Sequence, residues 1–109
     1  MAYNEELAEM IQAYLKMQPG YVMKKMFGGI CYLIHGNMAC GVLQDELIVR
    51  VGPAHYEELL LLPGVREFDV TGRVMKGWVM VSRCADGKDV ELHDWIDKGV
   101  RFALTLPPK

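Results

Sequence analysis

The sequence predicts an α+β domain in which helices pack on an antiparallel sheet of about five to six strands. Apolar residues recur at helical spacing near the start and near the end of the chain, which is typical of amphipathic helices. Between these segments, short apolar runs are separated by turn residues, a pattern typical of short strands. The chain has 109 residues, of which 51% are hydrophobic. No linker or repeat divides it, so we expect residues 1–109 to form a single domain with its own core.

The first predicted helix begins after Asn4, whose side chain can cap it. Its apolar face consists of Leu7, Met10, Ile11, Tyr14 and Leu15. Pro19-Gly20 stops the helix.

Four short strands are predicted next, over residues 22–27, 30–34, 38–43 and 47–51. The first of these is the least clearly marked. The runs around Ile30 and Met38 are apolar on both faces. We therefore expect one face of the sheet to pack under helices and the other to lie against a partner or a second copy.

The second half of the chain predicts two helices and two strands. One helix begins at Pro53 and ends before Pro63-Gly64. Strands near residues 67–70 and 75–82 follow, and a last helix is capped by Asp89. The apolar face of this last helix consists of Leu92, Trp95, Ile96, Gly99, Val100 and Ala103. Glycine is unfavourable inside a helix, so Gly99 indicates close packing there. The predicted order is α-β-β-β(-β)-α-β-β-α.

Composition excludes several classes of protein. The formal net charge is −2, so no overall positive field attracts nucleic acid or anionic lipid. The N-terminal ten residues contain three Glu and no Lys or Arg, which does not fit a secretory signal. The three cysteines, Cys31, Cys40 and Cys84, are typical of reduced cytosolic thiols. We expect a cytoplasmic protein that does not bind membranes.

The sequence contains no evident catalytic or metal centre. His35, His55 and His93 have no metal-ligand spacing, and Ser82 is the only serine. We therefore expect no catalytic residue, no metal and no cofactor.

The predicted hairpin indicates how the thiols of Cys31 and Cys40 lie relative to each other. If a hairpin turns at Gly36-Asn37, Leu33 pairs with Cys40 and Cys31 pairs with Val42. Cys31 and Cys40 then become diagonal neighbours on one face of the sheet. Because two thiols are too few for a structural zinc site, we interpret them as buried spectators.

Seven residues are candidates for a binding site: Lys24, Lys25, Gly28, Gly29, Arg50, Arg73 and Lys76. The charges of the five basic residues must reach water or a partner. A phosphate-binding loop leads into a helix, whereas Gly28-Gly29 leads into a predicted strand. A bend or bulge is therefore the preferred interpretation of the two glycines, with a phosphate cradle as the alternative.

Three segments, read together, resemble the N-terminal domain of the TfoX/Sxy competence regulators. They are KMFGG at residues 25–29, LIVRVGP at residues 47–53 and FDVTGRVMKGW at residues 68–78. The closing Leu92, Trp95 and LPP at residues 106–108 also fit. The resemblance implies helices on an antiparallel sheet, in an arrangement similar to secretion chaperones, and it brings no catalytic residue.

The resemblance also implies a role. Full-length family members are positive regulators of natural-transformation genes that work with a cyclic-AMP receptor protein at promoters, and they carry a second, C-terminal domain. The chain ends at Lys109, so we expect a stand-alone N-terminal domain. Its implied partner is a protein, either the transcription machinery or a cyclic-AMP receptor protein. From the net charge of the chain we expect no direct contact to nucleic acid.

Three functions stay open at this point, and we favour the first. In the first, the chain is a non-catalytic regulatory module that binds proteins and forms a homodimer through an exposed sheet face or edge. Alternatively, it binds nucleic acid through Lys24, Lys25, Arg50, Arg73 and Lys76. The third option is a small-molecule pocket between the sheet and the helices.

Overall fold

Within the residues that the structure describes, the chain forms three helices and six strands in the order predicted from the sequence. The structure, a computed structural model, describes residues 4–26, 28–62, 64–69, 72, 74–82 and 89–108. The helices are α1 (Glu5–Leu15), α2 (Pro53–Leu60) and α3 (Asp89–Leu104). The strands are β1 (Tyr21–Met26), β2 (Gly29–Ile34), β3 (Asn37–Leu43), β4 (Glu46–Arg50), β5 (Val65–Glu67) and β6 (Trp78–Ser82).

Helix α1 begins where its cap was predicted. The Asn4 side chain accepts a hydrogen bond of 2.9 Å from the backbone N–H of Leu7, which satisfies a free donor of the first turn. The buried residues of α1 are Leu7, Ala8, Ile11 and Leu15. Tyr14 was predicted to lie on this buried face, but it is exposed. Its ring stacks on His93 and its hydroxyl donates to Asp97 at 2.8 Å, so it joins α1 to α3 at the surface.

The six strands form one antiparallel sheet in the order β1-β2-β3-β4-β6-β5. Strands β1 and β5 are its two edges. After β4 the chain forms α2 and then β5 at the edge of the sheet. It returns as β6, which lies between β4 and β5.

One face of the sheet packs against all three helices. Its residues and those of the helices form a single buried cluster that includes Ile30, Tyr32, Val42, Val49, Val79 and Ile96. Helix α3 lies mainly over β3 and β4. A Cβ at Gly99 would overlap the carbonyl oxygen of Ala39, so the helix backbone lies directly on the sheet there. This confirms the close packing predicted for Gly99.

The other face of the sheet is covered by the chain's own connection between β5 and β6. Phe68, which is 0% exposed, packs with Cys31, Ile48 and Met80 in a second cluster. Met75 and Trp78 pack against this cluster. The expectation that this face lies against a partner was therefore wrong, because the connection supplies the apolar cover from within the chain.

The same connection corrects two predicted strand boundaries. Residues 67–70 and 75–82 were predicted as strands, but the observed strands are Val65–Glu67 and Trp78–Ser82. The chain leaves the sheet at Phe68, which is buried under it. The backbone N–H of Met75 then donates to the carbonyl of Phe68 at 3.0 Å, which closes the loop. Thr71 and Arg73 in this connection, and Cys84 in the predicted loop at 83–88, lie outside the described residues.

The pairing of β2 with β3 also differs from the predicted register. The turn is formed by His35 and Gly36, with φ of 52° and 85°. Two positive φ values match the twist of a two-residue hairpin turn. An irregularity then shifts the register, so that Tyr32 pairs with Cys40 and Cys31 pairs with Gly41. Cys31 and Cys40 therefore lie on opposite faces of the sheet, in different core clusters.

The cover of the second face can be tested at Phe68. We expect Phe68→Ala to lower the free energy of unfolding by about 3–5 kcal/mol, because it opens a cavity under β2, β4 and β6. Urea denaturation followed by tryptophan fluorescence measures this change. Val74→Ala is the matched control, since Val74 belongs to the same connection but is exposed, and we expect a change within about 0.5 kcal/mol. Equal effects of the two substitutions would contradict the assignment.

Candidate functional site

The basic residues predicted for one patch lie in two separate places. Lys24 and Lys25 are exposed on β1. The strand pairings from β1 to β4 place Lys24 in the same row across the sheet as Ile48, and Lys25 in the same row as Leu47. Arg50 lies farther along β4, three strand spacings or about 14 Å across the sheet. Lys76 is exposed in the turn before β6, two residues ahead of Trp78, which pairs with Arg50. Arg73 lies outside the described residues.

Gly28 lies in the tight hairpin turn between β1 and β2, and Gly29 is the first residue of β2. Met26 pairs with Gly29, so the turn between β1 and β2 has two residues. Gly28 has φ of 76°, a conformation that glycine adopts without strain. Gly29 is buried, and its backbone lies against the carbonyl oxygen of Val42. This agrees with the bend preferred from the sequence. The turn leads into a strand and not into a helix N-terminus, so it lacks the geometry of a phosphate-binding loop.

Arg50 has partners within the chain. Its guanidinium carbon lies 5.0 Å from the centre of the Trp78 ring and 5.3 Å from that of Phe102. Burial lowers the pKa of this guanidinium from its usual value, and the two rings stabilise the cation in return. Arg50 thus joins the end of β4 to α3 and has a structural explanation that the sequence did not provide.

The two described cysteines are buried thiols without a metal-binding constellation. Burial raises the pKa of Cys31 to about 11. Burial, together with the neighbouring Cys31, raises the pKa of Cys40 further. Thiols are far less reactive than thiolates, so both groups are inert in the folded chain. Among the described residues, no three His, Cys, Asp or Glu side chains converge to hold a metal ion.

Strand β1 is an open edge of the sheet. Among the described strands it pairs only with β2. Val22 and Met23 are 54% and 48% exposed, although both are apolar. Val22 and Lys24 lie on one face, and Met23 and Lys25 lie on the other. The strand therefore exposes apolar side chains beside a backbone edge with which no other described strand pairs, and we name Tyr21–Met26 the β1 edge.

The opposite edge, β5, is protected. It has only three residues. Arg66 forms an ion pair with Glu46 and lies 3.9 Å from a carboxylate oxygen of Asp69. The hydroxyl of Tyr56, from α2, donates to Glu67 at 3.3 Å. Short strands, charges and a covering helix are the usual means of preventing strand addition, so the two edges differ in kind.

A groove of about 570 Å³ runs between α2 and α3. Val51, Leu59 and Phe102 provide apolar walls. The charged residues of the lining are Lys98, Arg101 and Glu58, so cations outnumber carboxylates there. Its residues come from separate elements with no local motif, so sequence reasoning missed it. The β1 edge did leave a signal, since lysines alternate with apolar residues on both faces of β1, as is typical of an edge strand.

No helix in the described ranges is long and apolar enough to span a bilayer.

The buried thiols predict a pH dependence of stability. Their pKa values are raised above those of the unfolded chain, so the folded state keeps protons that the unfolded state releases above about pH 8.5. We therefore expect the free energy of unfolding to fall as the pH rises from about 8.5 to 10. Urea denaturation over this range measures the slope. Cys31→Ala and Cys40→Ala should each make the slope shallower, and an unchanged slope in both variants would contradict the assignment.

The family of the chain follows from its sequence and agrees with this fold. The model of the TfoX N-terminal domain matches residues 13–103. No curated protein and no solved structure matches the chain. The matched region extends from the second half of α1 almost to the end of α3 and contains all six strands. The chain therefore belongs to the TfoX N-terminal domain family, as its three resembling segments indicate.

Proposed function

We propose that the chain is a non-catalytic regulatory module that binds a partner protein by strand addition to the β1 edge. One observation carries this proposal: the sheet has one protected edge and one open edge. Strand β5 is short, charged and partly covered by α2, whereas β1 is six residues long and exposes Val22 and Met23. An open edge with exposed apolar residues is a template for a further strand.

The side chains of the β1 edge fit this mode of binding. A strand added at β1 would contact Val22 on one face and Met23 on the other, so both apolar side chains lose contact with water. Lys24 and Lys25 disfavour strands that place a cation opposite them. Main-chain hydrogen bonds would supply affinity, and these four side chains would supply selectivity.

The regulatory part of the proposal rests on the family. TfoX-type regulators act on natural-transformation genes, which makes the transcription machinery or a cyclic-AMP receptor protein the expected kind of partner. Direct binding of nucleic acid receives less support, because Lys24 and Lys25 lie apart from Arg50 and Lys76. A cytoplasmic location accords with this role.

The groove between α2 and α3 favours one second candidate function, the binding of a small molecule with an apolar body and a negative charge. Apolar walls with a few polar groups are typical of ligand sites. A thermal-shift screen of amphipathic carboxylates tests it, and Lys98→Glu with Arg101→Glu should abolish any shift. A screen without a shift would contradict it.

Site-specific photo-crosslinking tests the main proposal. A photo-reactive amino acid at Val22 should form one discrete adduct with a partner protein in the native host, identified by mass spectrometry. The same amino acid at Leu61, which is 84% exposed but far from β1 in the chain, is the control. Absence of an adduct at Val22, or the same adduct at both positions, would contradict the proposal.

A backbone substitution provides the matched test of strand addition. Hydrogen bonds to β2 alternate along β1, so the N–H of Met23 points outward and that of Lys24 points to β2. Met23→Pro should abolish the adduct with little change in melting temperature, because it removes an outward donor. Lys24→Pro should lower the melting temperature, because it breaks the β1–β2 ladder. If Met23→Pro leaves the adduct intact, binding does not use this edge.

A further inference from the structure

The orientation of the backbone groups of β1 follows from one hydrogen bond. The N–H of His35 donates to the carbonyl of Gly20 at 3.0 Å, just before β1 pairs with β2. In an antiparallel pair, hydrogen-bonded and non-hydrogen-bonded residues alternate. Tyr21, Met23 and Lys25 are therefore the residues whose N–H and C=O groups point away from β2. The N–H of Tyr21 already donates to the carbonyl of Gln18 at 3.2 Å, so the outward N–H groups that a further strand can use are those of Met23 and Lys25.

We propose that the strand added at the β1 edge is β1 of a second copy of this chain, in antiparallel orientation, with Met23 opposite Met23 of the second copy. This inference rests on the proposed function and takes a second copy, in place of the transcription machinery or a cyclic-AMP receptor protein, as the occupant of the β1 edge. A two-fold axis normal to the sheet at Met23 would join the two six-stranded sheets into one continuous sheet. The helices of both copies would then lie on the same side.

The charges of β1 select this register among the symmetric ones. With Met23 at the centre, Val22 faces Lys24 of the second copy, and Tyr21 faces Lys25 of the second copy. No lysine then faces a lysine. With Lys24 at the centre, Lys24 faces its own copy, which is unfavourable. With Val22 at the centre, Lys25 has no strand residue opposite it and fewer pairs form.

A parallel arrangement of the two strands is disfavoured by the same charges. In-register parallel strands bring each residue next to its own copy, so that Lys24 and Lys25 would both have like charges beside them. The antiparallel register centred on Met23 is therefore the arrangement that uses the whole strand and leaves every lysine opposite an uncharged residue. In other registers the lysines oppose strand addition. In this way they select the register centred on Met23.

The contacts formed in this register are favourable on both faces. The Met23 pair exchanges two backbone hydrogen bonds. Each of the two Tyr21–Lys25 pairs adds one, from the Lys25 N–H to the Tyr21 carbonyl, because the Tyr21 N–H already donates to the carbonyl of Gln18. On the helix-bearing face, the two Met23 side chains meet, and the Lys25 ammonium of each copy reaches the half-buried Tyr21 ring of the other. On the other face, the alkyl stem of Lys24 covers Val22 of the second copy.

A pair of substitutions at Val22 tests the register by charge alone. Val22 is more than half exposed, so neither substitution should change the fold of the monomer. Val22→Glu places a carboxylate opposite Lys24 of the second copy, whereas Val22→Lys places a like charge there. Sedimentation equilibrium measures the dimer dissociation constant. We expect this constant to be about tenfold larger for Val22→Lys than for Val22→Glu. Equal constants, or a stronger dimer for Val22→Lys, would overturn the register.

Disulfide trapping gives an independent test. In a Cys84→Ser background, a mixture of Val22→Cys and Lys24→Cys chains should form the mixed disulfide dimer on oxidation, because non-hydrogen-bonded pairs bring Cα atoms to about 4.5 Å. Each variant alone should crosslink at least about fivefold less, because its two thiols are diagonal neighbours about 7–8 Å apart. Equal crosslinking of the single variants and the mixture would overturn the register.

The two proposals fail differently. If the wild-type chain stays monomeric at high concentration while the Val22 photo-adduct contains another protein, the second copy is the wrong partner and the proposed function stands. If the chain is monomeric and Val22 gives no adduct, both proposals fail. If the dimer forms and Met23→Pro dissociates it, the inference is supported.

Discussion

The burial of β2 and β3 on both faces is the constraint on which the rest of this structure depends. Strands without a polar face cannot border water, so the chain must supply two apolar covers. Helices α1, α2 and α3 supply one cover, and the connection through Phe68 supplies the other. The second cover explains why the chain departs from the sheet after only three residues of β5. It also explains why β6 returns between β4 and β5, where Trp78 and Met80 complete the second cluster.

Much of the fold could be predicted because the relevant signals are local. The cap at Asn4, the stop at Pro19-Gly20 and the start of α2 at Pro53 each depend on a few neighbouring residues. The alternation of Trp78 and Met80 against Val79 and Val81 likewise follows from the period of a strand. The order of the nine elements follows from these signals together.

What the sequence did not predict depends on contacts between distant segments or on single backbone angles. The β2–β3 register depends on a positive φ at His35 and an irregularity near Ala39, and neither leaves a pattern of its own. The position of Phe68 depends on an uncovered sheet face that exists only after folding. For the candidate site, Lys24 and Lys25 were identified from composition, but Arg50 lies against Phe102 from the far end of the chain. The identity of the basic residues alone therefore could not show that Lys24 and Lys25 lie apart from Arg50.

The protection of β5 has a consequence for the size of any assembly that this fold can build. A sheet with two open edges can accept a copy on each side, and repeated addition then grows a filament without limit. Here the other edge is the three-residue strand β5, on which Arg66 forms an ion pair with Glu46 and Glu67 accepts a hydrogen bond from Tyr56 of α2. Each copy thus has one open edge, and in the proposed dimer the isologous contact at β1 would occupy that edge in both copies at once. Growth of the proposed assembly would then stop at two copies, and the short, charged β5 would keep that assembly finite.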